Sequence, residues 1–471
     1  MQTAGRRNLA ALIAVALAMA ALVAAFIALC ANVPAEYESA FGQTLGPLGI
    51  FRSRWSYPRL DLRPVEVASL VAVNILLLWA VYLTAWALVR RCPLGARRQT
   101  TVVIAAFGLL YNAGLALLMP PVFSNDLFHY ALFGRMVAFY GFNPYVVPGS
   151  AVVGDPVWPF AFWRDVTSHY GPVWTLVSAV TAALGDRSVL FTALAFKGVA
   201  ALFNLANCLL VYRLARCLGG DGLGALLLYA WNPLVLIETA GSGHNDAAMM
   251  TFALLGLLLA ARGRLLWGLA ALVLSVLVKY LTALLLLFYV LHCLARQTGW
   301  RRTMALAAKM GAVAAVIAVG LFVPFWAGPA SLARLLEVGA PFKSFVRILL
   351  REWVAGLLAG GGDLAEARAA AEPYVVGGLH LGFGALMTLL AKAALSRPDG
   401  WRRVIELWGV ASLVYVALVY GWNEPWFLVP TLATLCVVHQ SRLGLRLLAA
   451  THALGLLWML VYPVLIAAAP S

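Results

Sequence analysis

Apolar runs long enough to cross a bilayer recur along almost the whole chain, and they constrain the fold more than any other feature. A helix needs about 20 apolar residues to span the hydrocarbon core. Such runs lie near 9–31, 66–90, 101–119, 188–212, 222–239, 246–261, 264–280, 281–296, 304–325, 375–396, 403–421, 425–440 and 445–468. Several are short, which a membrane tolerates where the helix lines a cavity. The pattern predicts an all-α polytopic membrane protein with about 13 transmembrane helices and external interfacial helices. Charged residues make up 11% of the chain, against about 25% in a soluble domain. The 471 residues are therefore read as one membrane-embedded body, 1–471. The run after Arg6 and Arg7 exceeds the apolar core of a signal peptide, about 7–15 residues, and is read as a retained first span.

The net charge of +15 is concentrated in short clusters between runs. Arg6 and Arg7, Arg90 to Arg98, Arg213 and Arg216, Arg262 and Arg264, Arg296 to Arg302, Arg397 to Arg403, and Arg442 and Arg446 all fall on one side of a thirteen-span path. The positive-inside rule makes that side, and the N-terminus, cytoplasmic. The loop 32–65 carries Arg52, Arg54, Arg59 and Arg63 and breaks the rule. External loops are expected at 120–187 and 326–374, with surface helices over 171–185 and 343–358. No basic helix or aromatic-interleaved soluble patch exists, which excludes nucleic acid as a partner. The bilayer is the expected one. Six cysteines without a C-x-x-C, and His292 beside Cys293 on diverging helix faces, predict no metal site.

On this path five polar clusters converge on the outer face. They are Asn125 to Tyr145, Ser168 to Pro172, Asn232 to Asp246, Lys279-Tyr280, and Trp422 to Trp426. In a helix starting near Ser124, Asp126, His129, Tyr130 and Phe133 share a face. Asp126 is then either a chemical group or a complement to the helix dipole. Arg135, Asn143, Tyr145 and Tyr170 complete the candidates in this loop. Asn143-Pro144 is a turn signal as well as a candidate contact. Asn232-Pro233 kinks its span, and Glu238 is a carboxylate at or near membrane depth, where charge is expensive. His244 sits in a tight Gly-Ser-Gly-His-Asn-Asp turn and is placed to reach a phosphate, whereas Asn245 or Asp246 either caps the next helix or binds substrate. Lys279 and Arg347 read as snorkelling anchors or as phosphate partners. Trp422 and Trp426, flanking Glu424, read as an aromatic belt or as a sugar platform.

Taken together, Asn125-Asp126 with Tyr130, Asn143-Pro144-Tyr145, Tyr170-Gly171-Pro172, Trp231-Asn232-Pro233-Leu234 with Glu238, Gly243-His244-Asn245-Asp246, and Pro425-Trp426 resemble the GT-C glycosyltransferases. The likeness is to the bacterial polyprenol-phosphate-mannose-dependent α-1,6-mannosyltransferase type and covers roughly residues 100–440. The resemblance implies a GT-C fold in the bacterial cytoplasmic membrane, with the site facing outward. It implies a polyprenyl-phosphate sugar donor, mannose above all, and a glycan or glycolipid acceptor. It also implies a catalytic aspartate in an external loop after a span, which maps onto Asp126. Asp126 would act as general base in an inverting displacement, with Lys279, His244 or Arg347 offsetting the phosphate charge. No metal or other cofactor is expected, because the leaving group is a single lipid phosphate. The alternative is a transporter or flippase for lipid-linked sugars. It predicts internal repeats and midplane charges, whereas no repeat is visible and the polar groups crowd one end of the spans.

Overall fold

The computed structural model describes residues 2–33, 47–332, 344–360, 363–396, 400–421 and 423–467. Helices dominate these residues, and no strand occurs among them. The path opens with α1 (Gln2–Cys30), the short α2 (Pro47–Arg54), α3 (Pro64–Arg90) and α4 (Arg97–Leu118). After Pro120-Pro121 come α5 (Asp126–Tyr140), α6 (Pro172–Gly185) and α7 (Val189–Cys217). A central group follows: α8 (Gly222–Ala230), α9 (Pro233–Leu236), α10 (Asp246–Ala261), α11 (Leu265–Val276) and α12 (Ala283–Ala295). The last third holds α13 (Trp300–Phe322), α14 (Phe345–Ala359), α15 (Leu364–Ser396), α16 (Trp401–Val414), α17 (Val429–Leu435), α18 (Arg442–Met459) and α19 (Val461–Ala467).

Among the described residues seven helices are long and apolar enough to cross a membrane, and eight if α8 with its continuation, bent by 53°, is one broken span. The polytopic all-α class follows directly. The expected count of thirteen is not reached on length and composition, because 172–185, 246–261, 265–276, 280–295 and 425–438 form shorter apolar helices. The break in α8 has a local cause. Pro233 cannot extend the helix before it, and the Asn232 side chain accepts from the N–H groups of Leu234 and Val235 to cap the next one. A wide π-turn over Ile237–Gly241 then carries Glu238 inward.

Every residue from Gly222 to Met250 is buried, which makes this broken segment the centre of the molecule. By contrast, α13 and α15 are almost wholly exposed along their apolar lengths, as helices bathed in lipid would be. Several polar side chains of the buried spans pair with one another. Asn204 donates to Asn112 (2.7 Å), Tyr229 donates to Asn204 (2.7 Å), and Thr251 donates to Asn207 (2.8 Å). Lys197 is buried in α7, and its ammonium donates to the carbonyls of Leu115 (2.9 Å) and Met119 at the end of α4. That clamp fixes where the chain leaves the span and enters the segment before α5.

A helix forms over the expected 171–185, as α6. It packs one face on α5 so closely that a Cβ at Gly134 would lie 2.2 Å from the Ser178 carbonyl oxygen. Its other face leaves Leu176, Val180 and Leu184 exposed. The expected helix at 343–358 is α14, and it does not lie alone. It runs antiparallel to the start of α15, with Arg347 on Glu372 (3.3 Å) and Arg368 on Glu352 (2.8 Å).

Candidate active site

Asp126 is the first residue of α5 and is half-buried, as are Ser124 and Asn125 beside it. The Ser124 hydroxyl accepts from the Asp126 N–H (3.1 Å), which turns the chain into the helix. Four residues on, the Tyr130 hydroxyl lies 3.4 Å from both Asp126 Oδ2 and Asn245 Oδ1. The Tyr130 ring is held edge-on by Tyr170 (4.9 Å) and Trp174 (5.2 Å). Burial, and then the neighbouring Asp126 charge among others, push the Tyr130 and Tyr170 phenols well above their usual range. Both therefore stay protonated and able to donate.

Tyr170 reaches the site because the next residue is glycine. The Gly171 N–H donates to Val278 O (3.2 Å) and the Val173 N–H to Leu277 O (3.0 Å). A Cβ at Gly171 would lie 2.0 Å from Leu277 O, so only glycine allows the approach. This docks the long loop on the end of α11, one residue before Lys279. Lys279 in turn pairs with the fully buried Asp246, at 2.8 Å to Oδ2 and 3.0 Å to Oδ1. Its ammonium also lies 4.4 Å from the centre of the Phe427 ring.

The turn between Gly241 and Asp246 brings the third group. Gly243 takes a φ of +80°, which favours glycine, and presents His244. Both imidazole nitrogens are engaged. Nδ1 lies 2.9 Å from the Glu238 carbonyl oxygen and 3.3 Å from the Glu238 carboxylate, while Nε2 lies 3.1 Å from Ser124 Oγ. The ring stacks on Trp426 at 4.2 Å. Tyr462 donates to the far oxygen of Glu238 (2.9 Å). Burial works against a charged His244, but the hydrogen bond and charge of Glu238, together with the charges of Asp126 and Asp246, outweigh it and raise its pKa.

Asp126, Tyr130, Tyr170, Glu238, His244, Asn245, Asp246, Lys279 and Trp426 thus form one linked set. The remaining candidates lie elsewhere or play other parts. Arg135 grips Asp155 (2.6 Å) and the Asp186 carbonyl, with Tyr140 also on Asp155 (3.0 Å). Asn143 donates to Phe325 O (2.7 Å), and Tyr145 bonds Thr175 (2.8 Å) and packs on Phe322 and Phe325, so this turn anchors the loop to the end of α13. His129 is buried edge-on to Phe133 (4.4 Å) and near His169. Asn232 caps α9, and Arg347 pairs within the α14–α15 hairpin. Glu424 is half-buried at the start of the Pro425–Leu428 turn, two residues from Trp426. Trp422 lies outside the described residues. Residues that sequence reasoning did not assign to the site are Ser124, Phe427 and Tyr462. Ser124 alone carried a signal, as a hydroxyl two residues before a helix-starting aspartate.

Two features set the chemistry. Glu238 faces the His244 imidazole and Asp246 faces the Lys279 ammonium, whereas Asp126 makes no ion pair among the described residues. It is the carboxylate of the set available to take a proton. Asn245 Nδ2 and Trp426 Nε1 within the set, and Tyr280 OH on the residue after Lys279, are buried donors with no hydrogen-bond partner among the described residues. Unpaired buried donors cost free energy unless a ligand fills them. No three His, Cys, Asp or Glu side chains group as metal ligands among the described residues.

Residues 60–296 match the family model described as "Alpha-(1->6)-mannopyranosyltransferase, N-terminal domain". Alpha-(1->6)-mannopyranosyltransferase A of Mycobacterium tuberculosis is 33% identical over 298 residues, 59% of this chain and 55% of that protein. Alpha-(1->6)-mannopyranosyltransferase A of Corynebacterium glutamicum is 29% identical over 198 residues, 40% of each chain. The chain spans about half the length of the curated relatives it matches. No solved structure matches it.

Proposed function

The chain belongs to the alpha-(1->6)-mannopyranosyltransferase family, and from that premise we propose that it is a membrane mannosyltransferase. Its donor is a polyprenyl-phosphate mannose, and its acceptor is the 6-hydroxyl of a mannose-containing glycan or glycolipid at the outer face of the bacterial cytoplasmic membrane. The linkage is taken from the names of the relatives. The observation that carries the reading is the position of Asp126: half-exposed at the start of α5, without an ion-pair partner among the described residues, and linked through Tyr130 to the Asn245–Asp246–Lys279 group.

In this reading Asp126 accepts the proton of the acceptor hydroxyl as that oxygen attacks the anomeric carbon. The carbon–phosphate oxygen bond breaks on the opposite face, and its electron pair leaves with the lipid phosphate. The configuration inverts. A positioned base contributes about 10²- to 10⁴-fold. Two of the three Lys279 N–H bonds are directed at Asp246, and the third is available to the phosphate. Asn245 Nδ2, Tyr280 OH and Trp426 Nε1 supply neutral donors beside it. A single phosphate asks for no more charge than this, so no metal takes part.

The test is turnover by purified protein with polyprenyl-phosphate mannose or with GDP-mannose, the product linkage being read by NMR. Transfer from the lipid donor alone, giving an α-linked product, is expected. Use of GDP-mannose in its place would overturn the reading.

A further inference from the structure

Tyr462 in α19 makes two contacts, one with Phe123 just before Asp126 and one with Glu238. The Tyr462 ring stacks on Phe123 at 4.3 Å and 15°. The same residue's hydroxyl donates to Glu238 Oε1 at 2.9 Å. Glu238 faces His244, His244 reaches Ser124 Oγ, and Ser124 Oγ accepts from the Asp126 N–H. Phe123 and Ser124 are consecutive, so the chain just before Asp126 is pinned at two adjacent residues. Tyr462 lies beyond the residues that match the family model.

We infer that Tyr462, Glu238, His244 and Ser124 form a positioning relay that aims the Asp126 carboxylate, and that His244 is a member of this relay rather than a ligand of the donor phosphate. The inference rests on Asp126 as the base. Its physical basis is occupancy. Both imidazole nitrogens of His244 are engaged within the protein, and its ring face is covered by Trp426. All four relay residues except Ser124 are buried, so their geometry is fixed by packing rather than by solvent. Ser124 is the one member at the edge of the accessible site. Without its hydroxyl, the Asp126 N–H loses its acceptor and the first turn of α5 is free to tilt. A misplacement of about 1 Å costs roughly 10²-fold in rate.

The experiment compares Ser124→Ala, Ser124→Thr, Tyr462→Phe and Asp126→Asn in purified full-length protein, with kcat and both KM values measured and folding checked by thermal unfolding. Ser124→Ala is expected to lower kcat roughly 10²-fold with donor and acceptor KM unchanged. Ser124→Thr, which keeps the hydroxyl, is expected to recover most of that loss. Tyr462→Phe keeps the stack on Phe123 and is expected to lower kcat less than Ser124→Ala. His244→Gln separates the two roles of the histidine: a fall in kcat with donor KM intact supports the relay, and a raised donor KM with kcat intact overturns it. Wild-type kcat in Ser124→Ala beside an inactive Asp126→Asn would overturn the relay and leave the base standing. Turnover in Asp126→Asn would remove the base and the relay with it.

Discussion

The Lys279–Asp246 pair offers a sharp perturbation, because it separates holding the fold together from binding a phosphate. Asp246 is fully buried and the Lys279 side chain is 13% exposed. Removing one partner of a buried pair leaves an uncompensated charge and costs about 3–5 kcal/mol. Asp246 is also the first residue of α10, where the helix dipole returns about 0.3–1 kcal/mol to a lone carboxylate. Lys279→Met is therefore expected near the lower end, about 3 kcal/mol. Asp246→Asn strands a cation that can still reach water and the Phe427 ring, and is expected to cost less. The double variant removes both charges and is expected to be more stable than Lys279→Met, since neutral replacement of a whole buried pair is close to neutral. Thermal unfolding of the four proteins in one detergent reads this cycle. Strictly additive losses would refute the pairing argument. Turnover then divides the roles: if the third Lys279 N–H holds the donor phosphate, the double variant regains stability but not activity.

Three further outcomes follow from the geometry. Gly171→Ala drives a Cβ into Leu277 O, so a loss at or above about 3 kcal/mol, the upper end for overpacking, should appear as poor folding and no turnover; a stable, active variant would show that the Tyr170 loop docks elsewhere. For His244, the raised pKa means that its stabilisation is complete below the ordinary value of about 6.5 and is lost as pH rises through the raised folded value. Thermal stability should fall over that rise and the fall should flatten in His244→Gln, whereas an unchanged slope would contradict it. Chelation with EDTA should leave turnover with the lipid-phosphate donor intact, and activity restored only by added magnesium or manganese would contradict the metal-free mechanism.

How much of this was legible in the sequence depends on the range of the interaction. Local signals read through well. The apolar run at 246–261 is helix Asp246–Ala261, though too short to count as a span, the Asn232-Pro233 break is a capped break, and the i, i+4 spacing of Asp126 and Tyr130 puts the phenol beside the carboxylate. Proximity in sequence misled for Arg135. Nine residues along a helix is a rotation of about 180°, and Arg135 points to Asp155 on the far side. Long-range pairings carried no signal. Lys279 is 33 residues from Asp246, Tyr462 is 224 from Glu238, and His244 is 120 from Ser124. Only the fold reveals that Lys279 is already bound to a carboxylate and that His244 has both nitrogens occupied. The same holds for Lys197, a cation inside a span whose partners are main-chain carbonyls with no sequence signature.

The central claim is that Asp126 is the base, and one measurement tests it most directly. Purified Asp126→Asn, matched to the wild type in thermal unfolding, is given polyprenyl-phosphate mannose and a mannoside acceptor, and its kcat is measured. Asparagine keeps the size and the start of α5 but cannot take the proton. A fall of about 10²- to 10⁴-fold with both KM values retained is predicted. Turnover within a few-fold of the wild type would contradict the account.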